Sequence, residues 1–257
     1  MAEEILCTIK DSIATVTMNR PEKRNAMNTA ILEGLTNSFH QLETNPEVRV
    51  VVIRGAGKAF CSGLDLRELS SRQSGGGDPE TGVTKVFQQI ERSRHPTIAM
   101  VQGDALAGGC ELALHCDLRL ASEAARFGMP LARLGLVVPF PLGQKLVEII
   151  GPAFTKQILF TGQPIDAKRA YEIGMIHQLV SASELEAATY TLAHTIADNA
   201  PLSLAGMKAT ILRTTALRET INYQDLAEMV NRARKSADAQ EGVKAMLEKR
   251  KPAFRGE

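Results

Sequence analysis

The 257-residue chain lacks a surplus of either charge: Lys and Arg total 30, Asp and Glu total 29, and the formal net charge is +1. That balance excludes a global pull towards nucleic acid or an anionic membrane, so neither is an expected partner. Cysteines are few. Cys7, Cys61, Cys110 and Cys116 are scattered without the spacing of a disulfide framework, which predicts a soluble protein of a reducing compartment, the cytoplasm. No apolar run reaches the roughly 18 residues that a membrane helix needs. The opening residues MAEEILCTIKDSI are acidic and alternating, unlike a secretory or transit signal. There is no internal repeat and no GxGxxG; GAGK at 55–58 lacks the earlier glycine and the Ser/Thr of a phosphate loop. What is present is ample apolar material, 44% of the chain, enough for one large domain or two small ones.

Residues 4–18 pattern as two short strands around the polar turn Lys10-Asp11-Ser12. Asn28-Thr29 is placed to cap a helix running to about Leu42, and the β-branched run at 48–54 reads as a buried strand. LDLREL (64–69) predicts a short helical segment. SSRQSGGGDPETG (70–82) is too polar and glycine-rich to pack, and predicts a mobile surface loop. A helix is expected over about 83–94, strands over Pro96–Val101 and Asp117–Ala121, and mainly helices from Leu142 onward. Strands alternating with helices, then helices alone, predict an α/β core with a helical tail, with functional groups where strands end and helices begin.

The stretch AGGCELALHCD (107–117) places two glycines at a helix start and one carboxylate, Glu111, inside an apolar run. The first N–H groups of a helix have no intrahelical partner and lie at the positive end of its dipole. Glycine lets a ligand approach that backbone closely. A donor for a developing oxyanion beside a carboxylate that moves a proton suits chemistry next to a carbonyl. An acid in a first helical turn also complements the dipole without any catalytic role, and the pattern alone leaves both open. Cys110, His115 and Cys116 match no zinc spacing and fall on different faces of a short helix, so no metal is expected.

The segments KAFCSGLDLREL (58–69), VQGDALAGGCELALHCDLRLASEAARFGMP (101–130) and EGVKAMLEKRKPAF (241–254) resemble the crotonase, or enoyl-CoA hydratase/isomerase, superfamily. NRPEKRNAM (19–27) and FTGQPIDAKRAYEIGMI (160–176) extend the likeness across nearly the whole chain. The resemblance implies an α/β crotonase-like spiral of ββα units, here residues 1–195, and a C-terminal helical trimerisation region, 196–257. It implies an acyl-CoA thioester as substrate, no cofactor beyond the coenzyme A of that substrate, and self-association to a trimer or hexamer. By motif, the thioester oxygen would be held by the N–H groups of Leu64 and Gly108, with Glu111 the first of the two catalytic glutamates of a hydratase. Leu64, Asp65, Leu66 and Arg67 would line the path of the pantetheine and adenine. Lys249, and more weakly Lys23 and Arg24, would meet the phosphates. The 70–82 loop falls where the family has a mobile stretch over the acyl pocket.

The second hydratase glutamate follows the proline of an FGxPE motif, and here that position is Leu131 in FGMPL. Losing a positioned acid or base commonly costs 10²–10⁴-fold in rate, which argues against full-strength hydration. One proton carrier suffices to move a 3-enoyl double bond to the 2-position, and LGLVVPFPL (134–142) resembles the matching segment of enoyl-CoA isomerases. Those isomerases use the position lost here. Family decarboxylases dispense with it, but tend to carry a His or Tyr that GLDLREL and LGLVVPF lack. Isomerisation is the leading expectation and hydration its close rival. Decarboxylation, thioester hydrolysis and a non-catalytic CoA- or RNA-binding homologue follow, the basic NRARK (231–235) being short for RNA. Leu64, Leu131, Val137 and Val138 are expected to make an apolar pocket wall.

Overall fold

The computed structural model describes residues 3–68, 79–216 and 224–256. Its strands are β1 (Ile5–Lys10), β2 (Ile13–Met18), β3 (Val50–Gly55), β4 (Thr97–Val101), β5 (Ala105–Leu106), β6 (Leu118–Ser122), β7 (Arg126–Gly128), β8 (Ile165–Asp166) and β9 (Gln178–Val180). The helices are α1 (Thr29–Glu43), α2 (Pro79–Arg92), α3 (Gly108–His115), α4 (Phe140–Thr161), α5 (Ala167–Glu172), α6 (Leu185–Ala197), α7 (Pro201–Ala216), α8 (Gln224–Lys235) and α9 (Ala237–Leu247).

Strands β1 and β2 form a hairpin through Asp11 and Ser12, at φ 50° and 63°. Two left-handed central residues match the twist of the flanking strands. The remaining pairings of the main sheet, ordered β1-β2-β3-β4-β6-β9, are parallel. Parallel strands are covered on both faces, which is why β3 reads as an unbroken apolar run. Val50 and Val52 join Ile98, Met100 and Leu120 beneath α6, whereas Val51 and Ile53 face the core shared with Leu35, Phe39, Phe87 and Leu112. Asn28 caps α1 as expected, its side chain accepting from the Ile31 N–H at 2.9 Å.

The chain then winds. After β4 it makes β5 and α3; after β6 it makes β7, a 3-10 turn over Pro130–Leu134, and α4. Each return adds one strand to the main sheet and a short one to a second sheet, ordered β5-β7-β8. Single bridges continue that second sheet outward, from Ala105 to Cys61 and from Leu64 to Met27. The result is a spiral whose second layer brings residues 61–64, 105–108 and 126–129 side by side.

Two expectations are corrected. Pro79–Gly82 belong to α2, Pro79 standing at its first position where the missing N–H costs nothing. The rest of the presumed mobile loop, together with Leu69, lies outside the described residues. The chain beyond Leu142 is not purely helical, because β8 and β9 return to the two sheets. At two and three residues they are too short for a periodicity to register.

Candidate active site

The site is built where the second sheet meets the start of α3. Met27 N–H donates to the Gly63 carbonyl at 2.8 Å, and Asp65 N–H donates to the Met27 carbonyl at 2.9 Å. In a parallel bridge of this kind the residue between, Leu64, turns its own N–H to the opposite edge. Gly108 lies there: a β-carbon on Gly108 would stand 3.8 Å from the Leu64 nitrogen, and one on Gly63 would stand 3.3 Å from the Gly108 nitrogen. Gly63 adopts φ +97°, a conformation that side chains rarely take, with Ala107 Cβ only 2.9 Å from where its own Cβ would be. Ala107 itself is strained, at φ 49° and ψ −123°. That residue makes the corner by which β5 stops and α3 begins. Its N–H is held by the Gly128 carbonyl at 2.8 Å, and its carbonyl receives the Glu111 N–H at 3.0 Å. Strain of this sort survives only where the surroundings over-determine it. Two N–H groups, one from the bridged segment at Leu64 and one from a helix N-terminus, therefore sit side by side.

Glu111 is one turn further on. It shares a cavity of about 110 Å³ with Leu64, Leu66, Gly108 and Leu131. Thr84 and Ser62 supply polar atoms; Val83, Met129, Leu134, Leu136, Leu142 and Met246 supply apolar wall. Among the described residues Glu111 is the only titratable side chain lining that cavity. Leu131, carried by the 3-10 turn, presents hydrocarbon to the same space.

The back of α3 is locked. Arg119 is buried at 4% exposure and its guanidinium donates to carbonyls at the C-terminal end of α3, to Ala113 at 3.2 Å and Cys116 at 2.6 Å, and to Met175 at 2.7 Å. A cation there meets both the orphan carbonyls and the negative end of the dipole. His115 Nδ1 lies 2.9 Å from the Glu111 carbonyl, which can only accept, so the ring carries its proton on Nδ1. Burial, ahead of the Glu91 carboxylate that opposes it, holds His115 below the ordinary histidine range. Burial also pushes the Cys110 and Cys116 thiols up to about 12. No three His, Cys, Asp or Glu side chains cluster to hold a metal among the described residues.

The other expected residues part company. Leu66 lines the cavity, but Asp65 turns away to Arg20 at 3.0 Å and accepts from the Arg67 N–H at 3.1 Å. Burial opposes ionisation of Asp65, yet these hydrogen bonds prevail and keep its carboxyl below the usual range. Asp65 is thus a brace for the strand rather than a group aimed at the cavity. Arg67, Lys23, Arg24 and Lys249 are exposed and outside the lining, though the Arg24 carbonyl accepts the Ser62 N–H at 3.1 Å. Val137 and Val138 are also outside it; Leu134, Leu136 and Leu142 form that wall instead. The 3-10 turn ends with Gly135 at φ 67°, which rotates the following residues out of the register assumed from sequence. Met129, Val83 and Met246 carried no signal beyond apolarity.

The family model described as enoyl-CoA hydratase/isomerase matches residues 8–257. The chain belongs to the enoyl-CoA hydratase/isomerase family. It is 35% identical over 242 residues to the short-chain-enoyl-CoA hydratase of Clostridium acetobutylicum, covering 93% of this chain and 92% of that one. Among solved structures it superposes on a methylmalonyl-CoA decarboxylase in complex with 2-nitronate-propionyl-CoA, at TM-score 0.91 and 30% identity over all of both chains. A carnitinyl-CoA hydratase from Mycobacterium avium gives TM-score 0.88 at 32% identity, again over all of both chains. The fold is that of the crotonase family, and the chain is an enzyme acting on an acyl-CoA thioester.

Proposed function

We propose that this enzyme forms a thioester enolate with Glu111 as its one acid/base group, and moves a double bond from the 3- to the 2-position of an enoyl-CoA. The observation that carries the reading is the cavity lining, in which Glu111 is the only titratable side chain among the described residues and Leu131 is apolar. The Leu64 and Gly108 N–H groups receive the thioester oxygen. Glu111 takes a proton from the carbon next to the carbonyl, and the electron pair runs onto that oxygen through the conjugated system. Glu111 then returns the proton two carbons further out, the oxygen gives back its charge, and the double bond ends conjugated with the thioester. Donors fixed in advance on a strand and a helix terminus need no reorganisation as charge develops; one such donor is worth roughly 2.7–4 kcal/mol in other enzymes.

Hydration needs a second group to hold and deprotonate water, and Leu131 supplies none. Installing one tests the reading: Leu131→Glu should raise hydration of crotonyl-CoA by about 10²-fold or more. A wild-type enzyme that already hydrates crotonyl-CoA faster than it isomerises would contradict it. The likeness to a decarboxylase structure favours a second reading. There, loss of CO₂ generates the enolate and protonated Glu111 delivers the proton to carbon. Release of CO₂ from a 2-carboxyacyl-CoA would decide for it.

A further inference from the structure

We infer that helix α9 is a fixed wall of the acyl pocket and that Met246 sets the length of acyl chain the pocket takes. This rests on the acyl-CoA reading above. The helix is seated on the turn that carries Leu131 by backbone contact. A β-carbon on Gly242 would lie 2.5 Å from the Leu134 carbonyl carbon, and one on Gly135 would lie 2.8 Å from the Ala239 nitrogen. No side chain fits between the two backbones, so the seat has no slack.

The helix is also tied to the chain that flanks it. Ser236 caps it, accepting from the Ala239 N–H at 3.0 Å. The tail folds back on it: the Arg255 and Gly256 N–H groups donate to Asp238 at 2.7 and 2.8 Å, and the Ala253 N–H donates to Glu241 at 2.9 Å. Arg250 closes the loop with a second donation to Glu241 at 2.8 Å. These bonds tie α9 and the residues after it into one unit, which the close backbone approaches at Gly242 and Gly135 seat on the turn.

From this helix Met246 reaches the cavity that holds Glu111 and Leu131, while remaining 40% exposed. It therefore stands where the apolar cavity meets solvent. An acyl chain that outgrows the cavity reaches its thioether. Shortening that side chain extends the apolar space outward, and a rigid larger one shortens it.

The test is calorimetric binding of free CoA and of saturated butyryl-, octanoyl- and dodecanoyl-CoA, which bind without reacting. Each methylene newly admitted strengthens binding about fourfold. Met246→Ala should raise the dodecanoyl-to-butyryl affinity ratio at least about tenfold over wild type, and Met246→Phe should lower it. Equal weakening for every ligand, free CoA included, would mean that Met246 borders the CoA arm and would overturn the assignment. Unchanged ratios in both variants would overturn it too. Failure of the wild type to bind any acyl-CoA better than CoA would instead strike at the acyl-CoA reading itself.

Discussion

At the scale of single residues, two kinds of position are distinguishable by what their loss should do. On the proposed reading Glu111 moves the proton, so Glu111→Gln should cut turnover about 10²–10⁴-fold while acyl-CoA affinity stays close to wild type. Its thermal unfolding should be unchanged or slightly improved, as active-site charges are commonly held at some expense to stability. A large drop in Tm on calorimetry would show a structural role for that carboxylate. Gly109 is the converse. A β-carbon there would lie 2.1 Å from the Cys61 carbonyl oxygen, a backbone atom of the strand that leads to Leu64. Gly109→Ala should therefore cost about 1–3 kcal/mol in denaturant unfolding and displace the Leu64 N–H, with activity lost alongside. Full activity with native stability would mean that the strand can yield. Glu111, Gly108 and Leu131 were legible in the sequence because each sits in a motif of fixed spacing. The direction of Asp65 was not legible, because a motif states proximity only: its partner Arg20 is 45 residues away and invisible to local pattern.

At the scale of elements, α3 carries Gly108 at its head and is gripped by Arg119 at its foot. Arg119→Met keeps the apolar stem but strands the Ala113, Cys116 and Met175 carbonyls. It should lower stability by about 3 kcal/mol, as hydrogen bonds to charged groups are worth about 1.5–3 kcal/mol. A loss under about 0.5 kcal/mol would show that water replaces the guanidinium. The strands and helices with strong periodicity were predicted to within a few residues. What escaped was the second sheet, whose members are two- and three-residue strands and isolated bridges. Its information lies in which distant segments meet, and meeting is fixed by the winding of the main sheet. The placement of the Leu64 and Gly108 N–H groups depends on that sheet, so the sequence named the residues without revealing what aligns them.

At the scale of the whole molecule, three histidines make the fold sensitive to acid in one direction. His177 is brought down to about 4, by desolvation and then by the Arg119 charge, with its Nδ1 accepting the Arg119 N–H at 3.2 Å. His115 and His95 are lowered as well, burial again leading. For each, the unfolded chain binds a proton more readily than the folded one. Their contribution is intact above about 6.5 and declines as pH falls from there towards about 4, so stability rises with pH across that window. Calorimetric scans should give a lower Tm at pH 5 than at pH 7.5, and His177→Gln should shrink the difference. A flat Tm across that range would refute the account.

The central claim is that one carboxylate facing an apolar wall moves a proton between two carbons of an acyl-CoA. Absorbance of the conjugated enoyl thioester tests it most directly. With a trans-3-enoyl-CoA the account predicts a steady rise in that absorbance, lost in Glu111→Gln, and with crotonyl-CoA no decline. Loss of absorbance from crotonyl-CoA at a rate matching or exceeding the rise would contradict it.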